Sequence, residues 1–410
     1  MTSDVKKYPG VLFFSDDLTS SFTVNDLACF ASHYKKVILV TGNICEINLP
    51  GNVERLFIAD ANYSTLKALK LNFASVIKIA VREFFSSSKY FLYPRTFLGE
   101  FSSLLRAHYK ADILRQFVVS REWSDFIMYS FWFNHWATVL AVLNSREPLY
   151  FAAARAHGID LFEDRIPRTK RIPFRWFQMK YINRVFSVSA AGSGYLKKKY
   201  PTHANKVFTS RLGTRDCGIN PFVERGVFTL VSCAKIRNIK RIHLIAEILL
   251  HIDFPIKWIH IGGESENDPT LPQLKRNLEQ LIQKKDNVEI VFLGDLSEER
   301  VFKTYLSESV NLFISVSETE GLPVSMMEAI SFGIPVMATD VGGCNEIVNV
   351  QTGILIDKNF DVKNVAEEIT RFKNSDKNDG AFRSGVRGFW ENNFNAARNF
   401  DHFVSLMTTA

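Results

Sequence analysis

The sequence predicts an α/β protein of two domains, each a parallel sheet flanked by helices, and three observations predict it. At 410 residues the chain is too long for one comfortable core and suits two domains of about 200 residues each. Short apolar runs of strand length alternate with helical segments, and this series starts twice, at Val11 and again at Phe228. Between Asn311 and Val348 one complete strand, loop, helix and strand can be read, a crossover that belongs to a parallel sheet.

Composition narrows the class. Hydrophobic content of 46% and charged content of 23% are those of a globular chain. Five cysteines without tight pairs argue for a reducing compartment rather than a disulfide framework, and none is placed like a metal ligand. The opening MTSDVKKYPG has no signal-peptide core, and no uncharged apolar run of about 18 residues is present to span a bilayer. The expected location is therefore cytoplasmic, or peripheral at the inner face of a membrane. Net charge is +7, but residues 1–210 hold 28 Lys and Arg against 16 Asp and Glu, hence +12, and the remainder holds 22 against 27, hence −5. A basic half attracts anionic surfaces: membrane, nucleic acid or a phosphorylated acceptor. Nucleic acid is not expected, because neither a recognition motif nor an aromatic platform is present.

The first domain, 1–210, begins with a strand at Val11 to Ser15, a helix from about Thr23 to Ser32 and a strand at Val37 to Thr41. This Rossmann-type start has a loop, Ser15 to Ser21, without the glycines that let backbone close on phosphate. Asp16 and Asp17 are candidates to meet a hydroxyl of a bound molecule, with N-capping of the next turn as the plainer role. Residues 61–120 carry nine Lys and Arg against three acids. Leu66, Leu69, Phe73, Ile77, Ala80 and Phe84 recur there at helical spacing, with Lys67, Lys78 and Arg82 off that line. This basic amphipathic helix fits either an anionic membrane interface or packing on the domain's own sheet. His135, amid aromatics, reads as an interior histidine. His157 follows the strand Tyr150 to Ala156 and precedes Gly158, where a side chain faces a ligand crevice. Eleven basic residues against two acids fill 161–210, and the Lys197 to Lys199 triplet reads as a solvated helix end.

Gly213, Gly218 and Pro221 loosen the pattern, and a second domain is expected over 211–390. Its strands are Phe228 to Cys233, Ile256 to Ile261, Val288 to Gly294, Leu312 to Val316, Pro335 to Ala338 and Gly353 to Asp357, with a helix over Val362 to Asn374. Gly262-Gly263-Glu264 falls short of a dinucleotide fingerprint, so no nicotinamide cofactor is expected. In the 311–348 crossover, Pro323 suits the first helical turn and Gly333 the left-handed stop. Glu320 lies in the loop. Glu328 lies inside a helix apolar on nearly every side, where an ionised carboxylate needs a partner. A neighbouring Lys or Arg would serve, and so would a vicinal diol such as that of a ribose, while the amides from Gly321 to Val324 suit an electron-rich ligand. A terminal helix over 391–410, reached through Trp390 and carrying Phe394, Phe400 and Phe403, ends the chain.

The run E-G-L-P-V-S-M-M-E-A, with seven residues between Glu320 and Glu328, resembles the E-x7-E signature of retaining glycosyltransferases of family four, of the bacterial polysaccharide-assembly type. The flanking strands, Pro323, Gly333 and the following V-G-G match as well. The resemblance implies the GT-B fold: two facing Rossmann-like domains with a cleft between them and a C-terminal helix crossing back to the first. It implies transfer of a sugar from a nucleotide-diphosphate sugar to an acceptor hydroxyl with retention, the leaving phosphate taking the acceptor's proton. Glu320, Gly321, Leu322, Pro323 and Val324 would then hold the donor sugar, Glu328 the ribose and Gly294 the neighbourhood of the base. Lys235 and Lys240 match the family's diphosphate grip, with Lys in place of the usual Arg at 235. His157 would reach the sugar near the reacting centre. No D-x-D triplet occurs, so neither metal nor other cofactor is expected, and the lysines would carry the charge. The implied acceptor is lipid-linked or an oligosaccharide, for a surface polysaccharide or glycolipid. A sugar-nucleotide epimerase or hydrolase of the same fold, and a non-catalytic membrane-associated partner subunit, stay open as alternatives.

Overall fold

In the computed structural model, which describes residues 8–18, 21–43, 48–60, 63–223 and 226–408, the chain divides into two compact units. The first comprises residues 1–210 and 400–410, the second 211–399. Thr19, Ser20 and the side chains of Leu66 and Lys67 lie outside what is described.

The first unit holds seven parallel strands: β1 (Gly10–Phe14), β2 (Lys36–Thr41), β3 (Val53–Phe57), β4 (Ile127–Ser130), β5 (Ala152–Ala156), β6 (Arg184–Ser187) and β7 (Val207–Thr209). Their order is β3-β2-β1-β4-β5-β6-β7, so the chain reverses its direction of growth between β1 and β4. Successive side chains of a strand face opposite sides, and both sides are covered here. Leu12 and Phe14 join a core with Trp136 and Leu140, while Val11 and Phe13 join another with Phe30, Phe400 and Phe403. Burial on both faces is why β1 and β2 read as unbroken apolar runs.

Between β3 and β4 run helices Thr65–Phe85, Lys89–Leu92 and Pro94–Ser120. The buried stripe of the first is not the expected one. Val76, Ile79 and Ala80 are buried, whereas Phe73 is 59% exposed. The helix kinks at Asn72 (φ −127°), whose amide donates to Asp112 at 3.1 Å and whose carbonyl accepts from Arg146 at 2.6 Å. That anchor rotates the inward face by one position and leaves Phe73, Val81 and Phe85 outside.

The second unit has six parallel strands: β8 (Phe228–Cys233), β9 (Ile256–Ile261), β10 (Val288–Phe292), β11 (Leu312–Ser315), β12 (Val336–Thr339) and β13 (Gly353–Ile356), in the order β10-β9-β8-β11-β12-β13. Here the reversal lies between β8 and β11. Instead of one terminal helix there are two, Gly380–Asn393 and Ala396–Thr408. They break at Phe394 and Asn395, where the Thr214 amide bonds the Phe394 carbonyl at 2.9 Å and the Ala396 amide bonds the Thr214 carbonyl at 3.1 Å. Trp390 is buried before the break; Phe400 and Phe403 are buried after it, in the first unit.

Candidate active site

In an open α/β sheet the carboxyl ends of the two strands flanking the reversal leave a crevice, because their connections run to opposite sides. In the second unit these strands are β8 and β11. The chain leaving β8 forms a short 3-10 turn, Asn238–Lys240. The chain leaving β11 carries Glu318 and Glu320. Three kinds of contact clamp the two loops. The Glu318 amide donates to the Ile239 carbonyl at 2.7 Å. Arg241, held at φ +51°, donates to the carbonyls of Val316 at 2.6 Å and Ser317 at 3.2 Å. The Lys240 ammonium meets the Glu320 carboxylate at 2.5 Å, with the two side chains 24% and 10% exposed.

The loop of Glu320 is supported from below by Gly342 and Gly343. The Gly343 amide donates to the Gly321 carbonyl at 2.7 Å. A Cβ on Gly342, at φ +59°, would lie 2.0 Å from the Glu320 carbonyl oxygen, and one on Gly343 would lie 2.5 Å from that of Gly321. Only glycines allow that approach, which gives the V-G-G run its purpose.

The helix Val324–Ser331 begins one residue after Pro323 and stops at Gly333, at φ +73°. Met326, Met327, Ala329 and Ile330 bury its inner sides. Glu328 is partly buried, and among the described residues none donates a hydrogen bond to its carboxylate. Burial, with the Glu298 charge beside it, pushes its pKa up to about 7, against a pull from Arg215. Arg215 is itself tied to Glu298 at 2.6 Å. The field of Glu328 is felt by Cys233, the last residue of β8, which Lys240 reaches as well. The carboxylate therefore belongs to the same strand end as the lysine.

Lys235 and Gly294 lie toward the other edge. Lys235 is exposed and faces Asp295 at 3.8 Å, a surface pair of small energetic weight. Gly294, at φ +66°, accepts the Gly262 amide at 2.8 Å at the end of β10, two strands and about 10 Å from β8. The structure thus brings Lys240, Glu320 and Glu328 to one crevice and directs Lys235 toward the end of β10. Arg241, Arg215 and Glu298 were not anticipated; their partners lie 75 to 117 positions away in the chain, and no local pattern encodes that.

Residues 224–387 match the family of Glycosyl transferases group 1. Among curated proteins, the GtfA subunit of the UDP-N-acetylglucosamine–peptide N-acetylglucosaminyltransferase of Streptococcus pneumoniae is 25% identical over 167 residues, covering 40% of this chain and 31% of that protein. The O-antigen biosynthesis glycosyltransferase WbnH of Escherichia coli is 28% identical over 134 residues, 33% of this chain and 35% of that one. The chain spans about a third of the length of the curated relatives it matches. The second unit carries a group 1 glycosyltransferase domain. Solved structures extend the likeness to the whole chain. Anabaena Alr3699/HepE in complex with UDP covers 98% of this chain and 100% of its own at a TM-score of 0.65 and 12% identity. The lipopolysaccharide outer core galactosyltransferase WaaB covers 97% and 99% at 0.63 and 11%. The fold is GT-B, two Rossmann-like α/β units in one chain.

In the unit that precedes the group 1 domain, the reversal lies between β1 and β4, and its groups are mutually engaged. Among the described residues Asp16 caps no helix: its carboxylate accepts the Gly42 amide at 2.6 Å, beyond the end of β2. The Asp17 amide bonds Ser15 Oγ at 3.2 Å. Lys110, nearly buried on the helix Pro94–Ser120, lies 3.7 Å from Asp60 and 4.8 Å from the Trp136 ring. His135 bonds Ser103 through Nδ1 at 3.2 Å, and burial together with Lys110 lowers its pKa to about 4. His157 is buried, with Nε2 3.1 Å from the Phe131 carbonyl and its ring against Trp132 at 4.4 Å. Burial and the Arg155 charge lower its pKa to about 3, so the imidazole stays neutral and Nε2–H is the donor to Phe131. Asp160 orients it: one carboxylate accepts the His157 amide and the Phe133 amide, each at 2.6 Å.

Proposed function

We propose that the protein is a glycosyltransferase that moves a sugar from a nucleoside diphosphate sugar to an acceptor hydroxyl with retention of configuration and without a metal. The observation that carries this reading is Glu328: a carboxylate inside an apolar helix, without a protein hydrogen-bond donor among the described residues, at the same strand end as Lys240 and Glu320. The vicinal hydroxyls of a ribose supply the two donors it needs. Lys240 turns from Glu320 to the diphosphate, which frees Glu320 and the amides of Gly321 and Leu322, supported by Pro323 and Val324, for the sugar hydroxyls. Lys235 meets the distal phosphate or the base near Gly294.

In the transfer, the bond from the anomeric carbon to the phosphate oxygen breaks and the bond to the acceptor oxygen forms on the same face. The acceptor's proton passes to the leaving phosphate, and Lys240 stabilises the charge that develops there. His157, in the first unit, is a neutral imidazole, which excludes it as an acid. Asp16, Asp17 and Lys110 mark the acceptor's crevice in the first unit, and an acceptor from surface-polysaccharide or glycolipid synthesis fits the E. coli relative and the basic first half. The test is a panel of nucleotide sugars against the purified protein, reading thermal stabilisation and then nucleotide release with acceptor present. Stabilisation by at least one donor that Glu328→Gln abolishes supports the reading; stabilisation that survives this change removes Glu328 from it.

A further inference from the structure

We infer that helices Thr65–Phe85, Lys89–Leu92 and the first turns of Pro94–Ser120 form a docking surface for an anionic lipid membrane. On the first helix Phe73, Ile77, Val81 and Phe85 are spaced by four, which lines them along one face. Of these, Phe73, Val81 and Phe85 are exposed, Phe85 by 73%. The row continues past the helix end, because the Phe84 ring packs against both Phe85 at 5.5 Å and Phe91 at 4.7 Å. Phe91 and Leu92 are then 63% and 74% exposed, and Leu98 follows on the next helix at 62%. Elsewhere exposed large apolar side chains such as Leu149, Ile159 and Val350 are separated along the chain, which is ordinary. A contiguous apolar ridge is not, and it marks a contact surface.

Charge decides what the surface meets. Residues 73–98 hold Lys78, Arg82, Lys89 and Arg95 and a single acid, Glu83, which is fully buried under Tyr90 and Trp176. Every exposed charge of the segment is therefore positive. Lys78 and Arg82 form a second row beside the apolar one, and Arg95 ends the exposed run Phe91 to Arg95. Apolar side chains that enter the headgroup boundary, flanked by cations that meet lipid phosphates, are the two components of interfacial binding. The unit's excess of +12 over residues 1–210 adds attraction at longer range. No helix of the described residues is long and apolar enough to cross a membrane, and a surface contact needs none. The inference rests on the first unit alone and is independent of the transfer reading.

The test is flotation of the full chain with vesicles of phosphatidylcholine, with and without phosphatidylglycerol, at low and high salt. Binding to the mixed vesicles that high salt weakens is expected. The exposed double change Phe91→Asp and Leu92→Asp should lower the bound fraction by about tenfold or more, and Lys78→Glu with Arg95→Glu should remove the preference for phosphatidylglycerol. An unchanged melting temperature in both variants shows that the fold is intact. Absence of binding at low salt, or equal binding by both variants, overturns the inference. So does a dimer in solution that Phe91→Asp with Leu92→Asp converts to monomer, since the ridge would then serve a second copy.

Discussion

Buried carboxylates are handled in opposite ways in the two units. In the first, Asp26 meets Arg155 at 2.6 Å and accepts from the Tyr129 hydroxyl at 3.1 Å. Glu83 accepts from the Trp176 indole at 2.8 Å and the Phe174 amide at 3.2 Å, and Asp160 takes two backbone amides. In the second, Glu328 is partly buried on a helix whose inner residues Met326, Met327, Ala329 and Ile330 are apolar, and it has no such donor among the described residues. A buried acid with its partners in place is structure, since its desolvation is offset within the fold. An acid left without them costs stability, and that cost is retained where another molecule supplies the partners. On the proposed reading the comparison separates groups that hold the protein together from the one that waits for a ligand.

The largest effect that can break this division is expected in the first unit. Asp26→Ala leaves Arg155 inside the core with the Ser210 hydroxyl and the Phe403 ring, but without a counter-charge. Removing one partner of a buried pair costs about 3–5 kcal/mol, and denaturant titration should read a loss of that size. A loss below about 1 kcal/mol would mean that the pair is not structural. In the second unit the corresponding removal should spare the fold and strike turnover. Glu320→Gln and Lys240→Ala should each lower kcat by roughly 10²- to 10³-fold, the scale of losing one preorganised charge or donor. They part company in binding: Glu320→Gln releases Lys240 and should tighten the nucleoside diphosphate, whereas Lys240→Ala should weaken it. Equal shifts of both in calorimetry would contradict the exchange of partners.

The same division explains what was legible in the sequence. The strands β8 and β9 are bounded correctly at Phe228 to Cys233 and Ile256 to Ile261, because large apolar residues, Phe228, Leu230 and Val231 in one and Ile256, Trp258, Ile259 and Ile261 in the other, are dense over a strand's length. The edge strand β3, VERLF, was missed: only Val53 and Leu56 are buried, so neither a run nor an alternation stands out. Helix Pro94–Ser120 hid because its inner face includes His108 and Lys110, which blunt its apolar period. The Glu328 position was readable since its neighbours lie within one turn. What satisfies Asp16, Lys235 or Arg241 was not, because their partners arrive from other strand ends, 26, 60 and 75 or more positions distant.

A smaller effect sharpens the contrast. Burial raises Glu328 from 4.5 to about 7, so the folded state penalises its charged form and stability falls as pH climbs from the unfolded value through 7. Glu328→Gln removes that penalty. After discounting for partial exposure, the variant should be more stable than the parent by about 1–2 kcal/mol at pH 8. At pH 5, where the folded carboxyl already holds its proton, the two should nearly coincide. Thermal melts at the two pH values read the difference. A variant less stable than the parent at pH 8 would show that the carboxylate has a donor within the fold after all.

The smallest effect is the pH dependence of donor affinity, and its sign follows from the same proton. Ribose hydroxyls donate to a carboxylate and find a poorer acceptor in the protonated acid, so binding favours the ionised form and expels the proton. Below about pH 7 the affinity for a nucleoside diphosphate sugar, whose own charge is constant across this range, should therefore rise by up to about tenfold per pH unit. Above that value it should level off, because the carboxylate is already ionised. Glu328→Gln should bind weakly and with a flat profile. If the slope persists in that variant, the titrating group is another one. His157 and His135 cannot supply it, since burial holds both neutral from about 3 and 4 upward, so a persistent slope would point to another carboxyl, such as Asp160, which burial raises to about 6, and end the assignment of the ribose to Glu328.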